Sequence, residues 1–183
     1  MYSLSVQEQE FYDSEKNEFV TIPGGTLELE HSLISVSKWE SKYKRAFLSE
    51  KEGPKTYSEW IDYIRCMTIN KHVNDSIYNS ITNQQVNDVA AYIGDTMTAT
   101  TFSERPGARG RRSSGKITNE VIYWQMSQYN IPFECEKWHL NRLLTLIRVC
   151  NEKGQPPQKM SQNDLLKQYS ATNAKRRAAK KHH

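Results

Sequence analysis

The sequence predicts an α+β fold: a small N-terminal β-hairpin or meander packed on a mainly α-helical bundle of about five helices. Three observations carry this. Leu27 and Leu29 alternate with Glu28 and Glu30 just after a Pro-Gly-Gly phrase, the period-2 pattern of a half-buried strand. Three S/T-x-x-E/Q phrases, at Ser37, Thr56 and Thr82, then open runs of helical periodicity. Finally, Phe133, Leu140, Leu143, Leu144 and Ile147 line one side of a long segment whose other side carries Glu134, Lys137, Asn141 and Arg148.

Taken in order, Glu10 to Asp13 is a short aromatic run, Ser14 to Asn17 a polar turn, and Glu18 to Ile22 a second run. Pro23-Gly24-Gly25 is expected to reverse the chain, since proline fixes φ and glycine supplies positive φ. Ser37-x-x-Glu40 is expected to cap a helix carrying Trp39, Tyr43 and Phe47 at i, i+4 and i+8, with Gly53-Pro54 ending it. Thr56-x-x-Glu59 opens a second helix with Trp60, Ile61, Ile64 and Met67. Thr82-x-x-Gln85 opens a third with Val86, Val89, Ala90 and Ile93, stopped by Gly94.

Between residues 95 and 116 the text turns to Thr, Ser, Gly and Arg with little apolar periodicity. This is the composition of a flexible or functional loop. Thr118 then caps a helix through Val121, Ile122, Met126 and Tyr129. Pro132 suits the first turn of the last and strongest amphipathic helix, which runs to Gly154 and is expected to form the centre of the core. Gln155-Pro156-Pro157 marks a boundary. The organisation is one α+β domain over 1–154, interrupted by the 95–116 loop, and a basic helix or tail over 155–183.

Of the 183 residues, 37% are hydrophobic, which is low for a globular chain and agrees with substantial segments outside the core. Charge is polarised. Residues 1–31 carry −6, with Lys16 the lone base, whereas residues 153–183 carry +7, with Asp164 the lone acid. The basic end therefore suits an acidic partner, or the chain's own N-terminus. The sequence shows neither a leader-like apolar run nor a membrane-length apolar stretch, and a protein soluble and intracellular at synthesis is expected.

No constellation for catalysis stands out. Cys66, Cys135 and Cys150 are odd in number, without a CxxC pair, and read as reduced thiols. Cys135 and His139 share ligand spacing at i, i+4 but make only half of a tetrahedral site, so no metal is expected. His31, at a strand end beside Glu30, reads as a surface or capping residue, and His139 as a residue at the edge of the core. Glu134 and Glu136 diverge on a helix and form no dyad. Gly24-Gly25 is too short to cradle phosphate. The expectation is a non-enzyme without cofactors. Two basic runs bear on nucleic acid: Arg105, Arg109, Arg111 and Arg112 in the loop, and Lys175, Arg176, Arg177, Lys180 and Lys181 in the tail. Phosphate attraction needs only charge density, but no readout motif accompanies them. A solvated loop and a solubilising tail account for both.

The phrases EHSLISVSKWESKY, IPFECEKWHLNRLLTLIRVCN and NAKRRAAKK together resemble the tail assembly chaperones of tailed bacteriophages, small proteins encoded near the tape measure protein. The resemblance implies a non-catalytic protein of the host cytoplasm, absent from the mature virion. It would keep the tape measure protein soluble while tail tube subunits polymerise around it. Such proteins are often made in two lengths by frameshifting. Partner-binding residues expected on this reading are Trp39, Tyr43, Phe47, Phe133 and Trp138 as an apolar stripe or groove. Lys175, Arg176, Arg177, Lys180 and Lys181 would be a second, weaker handle. The tail tube protein and a second copy of the chain are further partners. The alternatives are a structural virion protein, such as a head–tail connector or tail-completion subunit, and a basic nucleic-acid-binding accessory protein.

Overall fold

A computed structural model describes residues 1–15, 17–49, 52–102, 116–154, 166 and 169–173. The loop arginines Arg105, Arg109, Arg111 and Arg112, and the tail residues Lys175, Arg176, Arg177, Lys180 and Lys181, lie outside the described residues. The chain divides into two units, Met1–Val149 and Cys150–His183, so the boundary falls inside the last long helix. In the second unit, residues 166 and 169–173 are helical, with Leu166 and Tyr169 exposed.

The α+β class is as expected. Four strands come first: β1 (Tyr2–Val6), β2 (Gln9–Asp13), β3 (Glu18–Ile22) and β4 (Gly25–Leu29). β1 pairs antiparallel with β4, and β2 with β3. Tyr2 faces Leu29, Val6 faces Gly25, Gln9 faces Ile22 and Asp13 faces Glu18. All four pairs belong to a single register. The two sheets are thus successive stretches of one long antiparallel ribbon, interrupted where Gln7-Glu8 faces Pro23-Gly24.

The expected N-terminal β-hairpin is present, and its details differ from the expectation in two respects. Tyr2–Val6 is a strand outside the expected set, although Leu4 and Val6 alternate with Ser3 and Ser5 as a half-buried strand should. Pro23-Gly24-Gly25 does not reverse the chain; the reversal lies between β2 and β3, where Asn17 has φ 54°. Pro23 has no N–H for the ladder, which explains the interruption. A Cβ on Gly24 would stand 2.6 Å from the Glu8 amide nitrogen and 2.8 Å from the Val6 carbonyl. Glycine is required there for close approach of the two arms.

The inner ribbon has one buried and one polar face. Leu4, Val6, Leu27 and Leu29 are buried, while Ser3 donates to Glu28 across the other face at 2.7 Å. Both edges have partners from elsewhere in the chain, the β4 edge more than the β1 edge. On the β4 side, Glu30 N donates to the Met67 carbonyl and Ile69 N to the Glu28 carbonyl, both at 2.9 Å. The Asn70 amide accepts from Glu28 N and donates to the Thr26 carbonyl, imitating a strand. On the β1 side, the Gln85 amide donates to the Ser5 carbonyl at 2.7 Å. The outer ribbon differs: Phe11, Tyr12, Phe19 and Val20 are all exposed.

Five α-helices follow up to Gly154: α1 (Leu33–Tyr43), α2 (Tyr57–Met67), α3 (Asn83–Gly94), α4 (Asn119–Gln128) and α5 (Leu140–Gly154). Two 3-10 helices, Asp75–Ser80 and Phe133–Lys137, were not foreseen. The capping boxes at Thr56/Glu59 and Thr82/Gln85 form as read. The one at Ser37 does not. α1 begins a turn earlier, capped by Ser32, whose hydroxyl accepts from Ser35 N at 3.3 Å. Leu33 and Val36, both fully buried, place the apolar face upstream of Ser37 and decide the start. α1 also stops early, at Lys44 with φ 54°, well before Gly53-Pro54.

The last helix is likewise shorter than expected. From Pro132 the chain makes a 3-10 helix and a bend, and α5 opens only at Leu140, whose N–H donates to the His31 carbonyl at 2.7 Å. Leu140, Leu143 and Ile147 are buried; Leu144 is half-buried and Phe133 is exposed, both corrections to the expected inward face. The hub of the core is α1, which packs on α2, α4 and the second 3-10 helix.

Candidate partner-binding surface

The expected aromatic stripe is core rather than groove. Trp39 is 1% exposed and donates its indole N–H to the Glu59 carbonyl at 3.2 Å. Tyr43 stacks on Trp39 at 4.6 Å and is half-buried, its hydroxyl bonded to Asp62. Phe47 lies beyond the helix and folds back, edge-on to Trp39 at 5.2 Å and against Tyr63 at 4.0 Å. Lys55 seals the cluster: its ammonium sits 4.1 Å from the Phe47 ring and donates to the Phe47 carbonyl at 2.9 Å. Burial and the nearby Arg45 cation lower its pKa. Aromatics at helical spacing packed inward because each ring found a partner from α2 or the loop that follows α1. Trp39 and Phe47 are therefore removed from the surface assigned to a partner.

Phe133 and Trp138 stay accessible. Phe133 is 56% exposed, its ring 6.2 Å from Tyr123 of α4. Trp138 is half-buried beneath the Arg142 guanidinium at 4.2 Å. Next to them in sequence, α4 carries apolar residues on opposite sides. Ile122 and Met126 are fully buried, whereas Val121 is exposed and Trp124 is 61% exposed, with exposed Ile117 just before the helix. At about 100° per residue, Trp124 points roughly 160° away from Ile122. Burying a side chain of this class gains about 1.5–3 kcal/mol, and that gain is forgone while Trp124 and Phe133 face water. The signal was present in the sequence: NEVIYWQM is apolar on two faces, one more than a helix resting on a single core needs.

Titratable chemistry gathers elsewhere. His31, read as a surface residue, is 1% exposed, because its position at the end of β4 turns the ring into the core. Its Nδ1 lies 2.5 Å from the Tyr63 hydroxyl, and its ring centre 5.0 Å from that of His139. Burial, then the neighbouring His139, pushes the His31 pKa down to about 3. His139 is also buried, and burial lowers its pKa despite the Tyr92 carbonyl near Nε2 at 3.2 Å. Its Nδ1 accepts from Asn141 N at 3.3 Å, which leaves the Nε2 proton for Tyr92. The described polar contacts of the pair tie the end of β4 to α2, α3 and the start of α5. Among the described residues, no three His, Cys, Asp or Glu side chains come together as metal ligands, and no helix is long and apolar enough to cross a membrane.

Compared with known proteins, the chain matches no family model, no curated protein and no solved structure.

Proposed function

We propose that the chain is a non-catalytic tail assembly chaperone, which binds an apolar helical segment of a tape measure protein and keeps it soluble. The observation that carries this reading is the outward apolar face of α4 with Phe133 beyond it. Trp124 and Phe133 are large, exposed aromatic side chains held on helical elements, the properties of anchors in helix-in-groove recognition. The phrase IPFECEKWHLNRLLTLIRVCN supports it further, since it supplies Phe133 and Trp138 to this surface. The basic tail, by its sequence, would add a weaker electrostatic handle.

The test is co-expression with tape measure fragments, followed by pull-down with wild type, Trp124→Ser and Phe133→Ser. Both variants are expected to keep the wild-type melting temperature, because the side chains are already in water. Each is expected to weaken capture at least about tenfold, the loss of about 1.4 kcal/mol that truncating an anchor readily exceeds. Unchanged capture removes this face from the function. Rings formed by the chain alone point instead to a connector, and binding to unrelated DNA to a nucleic-acid accessory protein.

A further inference from the structure

We infer that the outer ribbon, β2–β3, is a second docking site, and that its occupant is an extended, cationic segment of another protein. The inference rests on residues apart from α4 and does not depend on the function proposed above. In the ribbon, Phe11 faces Val20 and Tyr12 faces Phe19. Since alternate residues of a strand point to opposite sides, the two pairs make both faces of the hairpin apolar. Phe19 is 72% exposed, Tyr12 55% and Phe11 47%. Tyr12 and Phe19 meet edge to face at 5.2 Å, which holds the rings in place. At its base the ribbon is anchored to the domain: Gln9 donates to the Ser80 carbonyl at 3.4 Å, and Ile22 is half-buried.

Its edges differ from those of the inner ribbon. The β4 edge of the inner ribbon is covered by the chain after α2 and the Asn70 amide, and its β1 edge meets the Gln85 amide. Among the described residues, β2–β3 is a two-stranded sheet with no third strand. An unpaired edge offers backbone N–H and C=O groups to an incoming strand. Charge then selects the occupant. Residues 8–18 carry Glu8, Glu10, Asp13, Glu15 and Glu18 against Lys16 alone, and Glu8, Glu10, Glu15 and Glu18 are exposed. Acidic residues on an edge also deter self-pairing, so a second copy of the hairpin is repelled. Deterrence accounts for the carboxylates but not for four exposed apolar side chains beside them. A segment alternating cationic and apolar residues satisfies the edge, the faces and the charge together. Nucleic acid is repelled by the same carboxylates.

The test is a nitrogen-15 NMR titration of the full chain with a short peptide alternating Lys and Val, and with one alternating Glu and Val. The Lys/Val peptide is expected to shift amide signals between residues 9 and 22, and to lose about tenfold in affinity from low salt to about 0.5 M, as exposed charges are screened. The Glu/Val peptide should leave them unmoved. Phe11→Ser with Phe19→Ser should abolish the shifts without changing the melting temperature, and Glu10→Lys with Glu18→Lys should move the preference to the Glu/Val peptide. Equal binding of both peptides, no binding of either, or shifts confined to other residues overturns the proposal. Concentration-dependent self-association that the Phe11/Phe19 variant removes also overturns it, by making a second copy the occupant.

Discussion

Glu40 shows how much a single buried carboxylate organises. It lies in α1, 7% exposed, and accepts from Phe47 N at 2.7 Å, Asn119 N at 2.8 Å and the Asn119 side-chain amide at 2.6 Å. Thr118 makes no side-chain cap to α4, so Glu40 brings a negative charge to that helix N-terminus from another helix. It also fixes the return of the chain after α1. Glu40→Ala leaves two or three buried donors without an acceptor and is expected to cost about 2–4 kcal/mol in urea denaturation, with Glu40→Gln milder. A loss below about 0.5 kcal/mol for the alanine variant would show that water replaces the carboxylate. His31 and His139 are expected to contribute to loss of stability in acid. Both have folded pKa values below the usual 6.5, so the unfolded chain binds protons first as pH falls. Their neutral form is fully compatible with folding above about 6.5, and stability falls between there and about 3, the His31 value. In melting scans, His31→Leu should lower stability at pH 8 but flatten its decline from pH 7 to 4. An unchanged slope would mean that carboxylates such as Glu59 and Asp62, whose pKa values are lowered in the fold, dominate acid unfolding.

Elements kept their identity better than their ends. α2 and α3 start where Thr56 and Thr82 say, because each cap needs only residues within one turn. α1 and α5 depart from the expected spans because other elements decide their limits. Leu33 and Val36 draw the start of α1 upstream, and the Leu140 N–H to His31 carbonyl bond opens α5 at the bend after Trp138. The inward face of α5 moves with that start. Leu143 is fully buried and Leu144 is not, so Leu143→Ala is expected to cost about 2–5 kcal/mol and Leu144→Ala clearly less. Equal losses in parallel denaturation curves would return Leu144 to the core. Legible helices thus came with an uncertain rotation. A shift of one residue turns a helix by about 100°, enough to exchange Leu143 for Leu144.

At the scale of the whole molecule, the single register of the ribbon has a direct consequence. Val6 faces Gly25, so residues 7–24 can be replaced by a two-residue Asn-Gly turn that joins the inner strands without a register change. The outer hairpin contributes exposed rings and little burial. Its removal is expected to shift the melting temperature by less than about 4 °C, near what 1 kcal/mol produces in a chain of this length. Loss of cooperative unfolding would show instead that the outer hairpin holds the inner one together. By itself, the sequence determined the α+β class, the alternation of β4, two capped helices and the inward commitment of most aliphatic residues. These follow from spacings within a few residues, where side-chain direction is fixed by backbone geometry. Only the tertiary structure decided that Trp39 and Phe47 are core, that His31 is buried beside His139, and that Trp124, Phe133 and the outer ribbon face water. An apolar side chain is buried when another element arrives to cover it, and that arrival depends on residues far along the chain: Glu59 and Tyr63 for the aromatic cluster, His139 for His31, and no described element for Trp124.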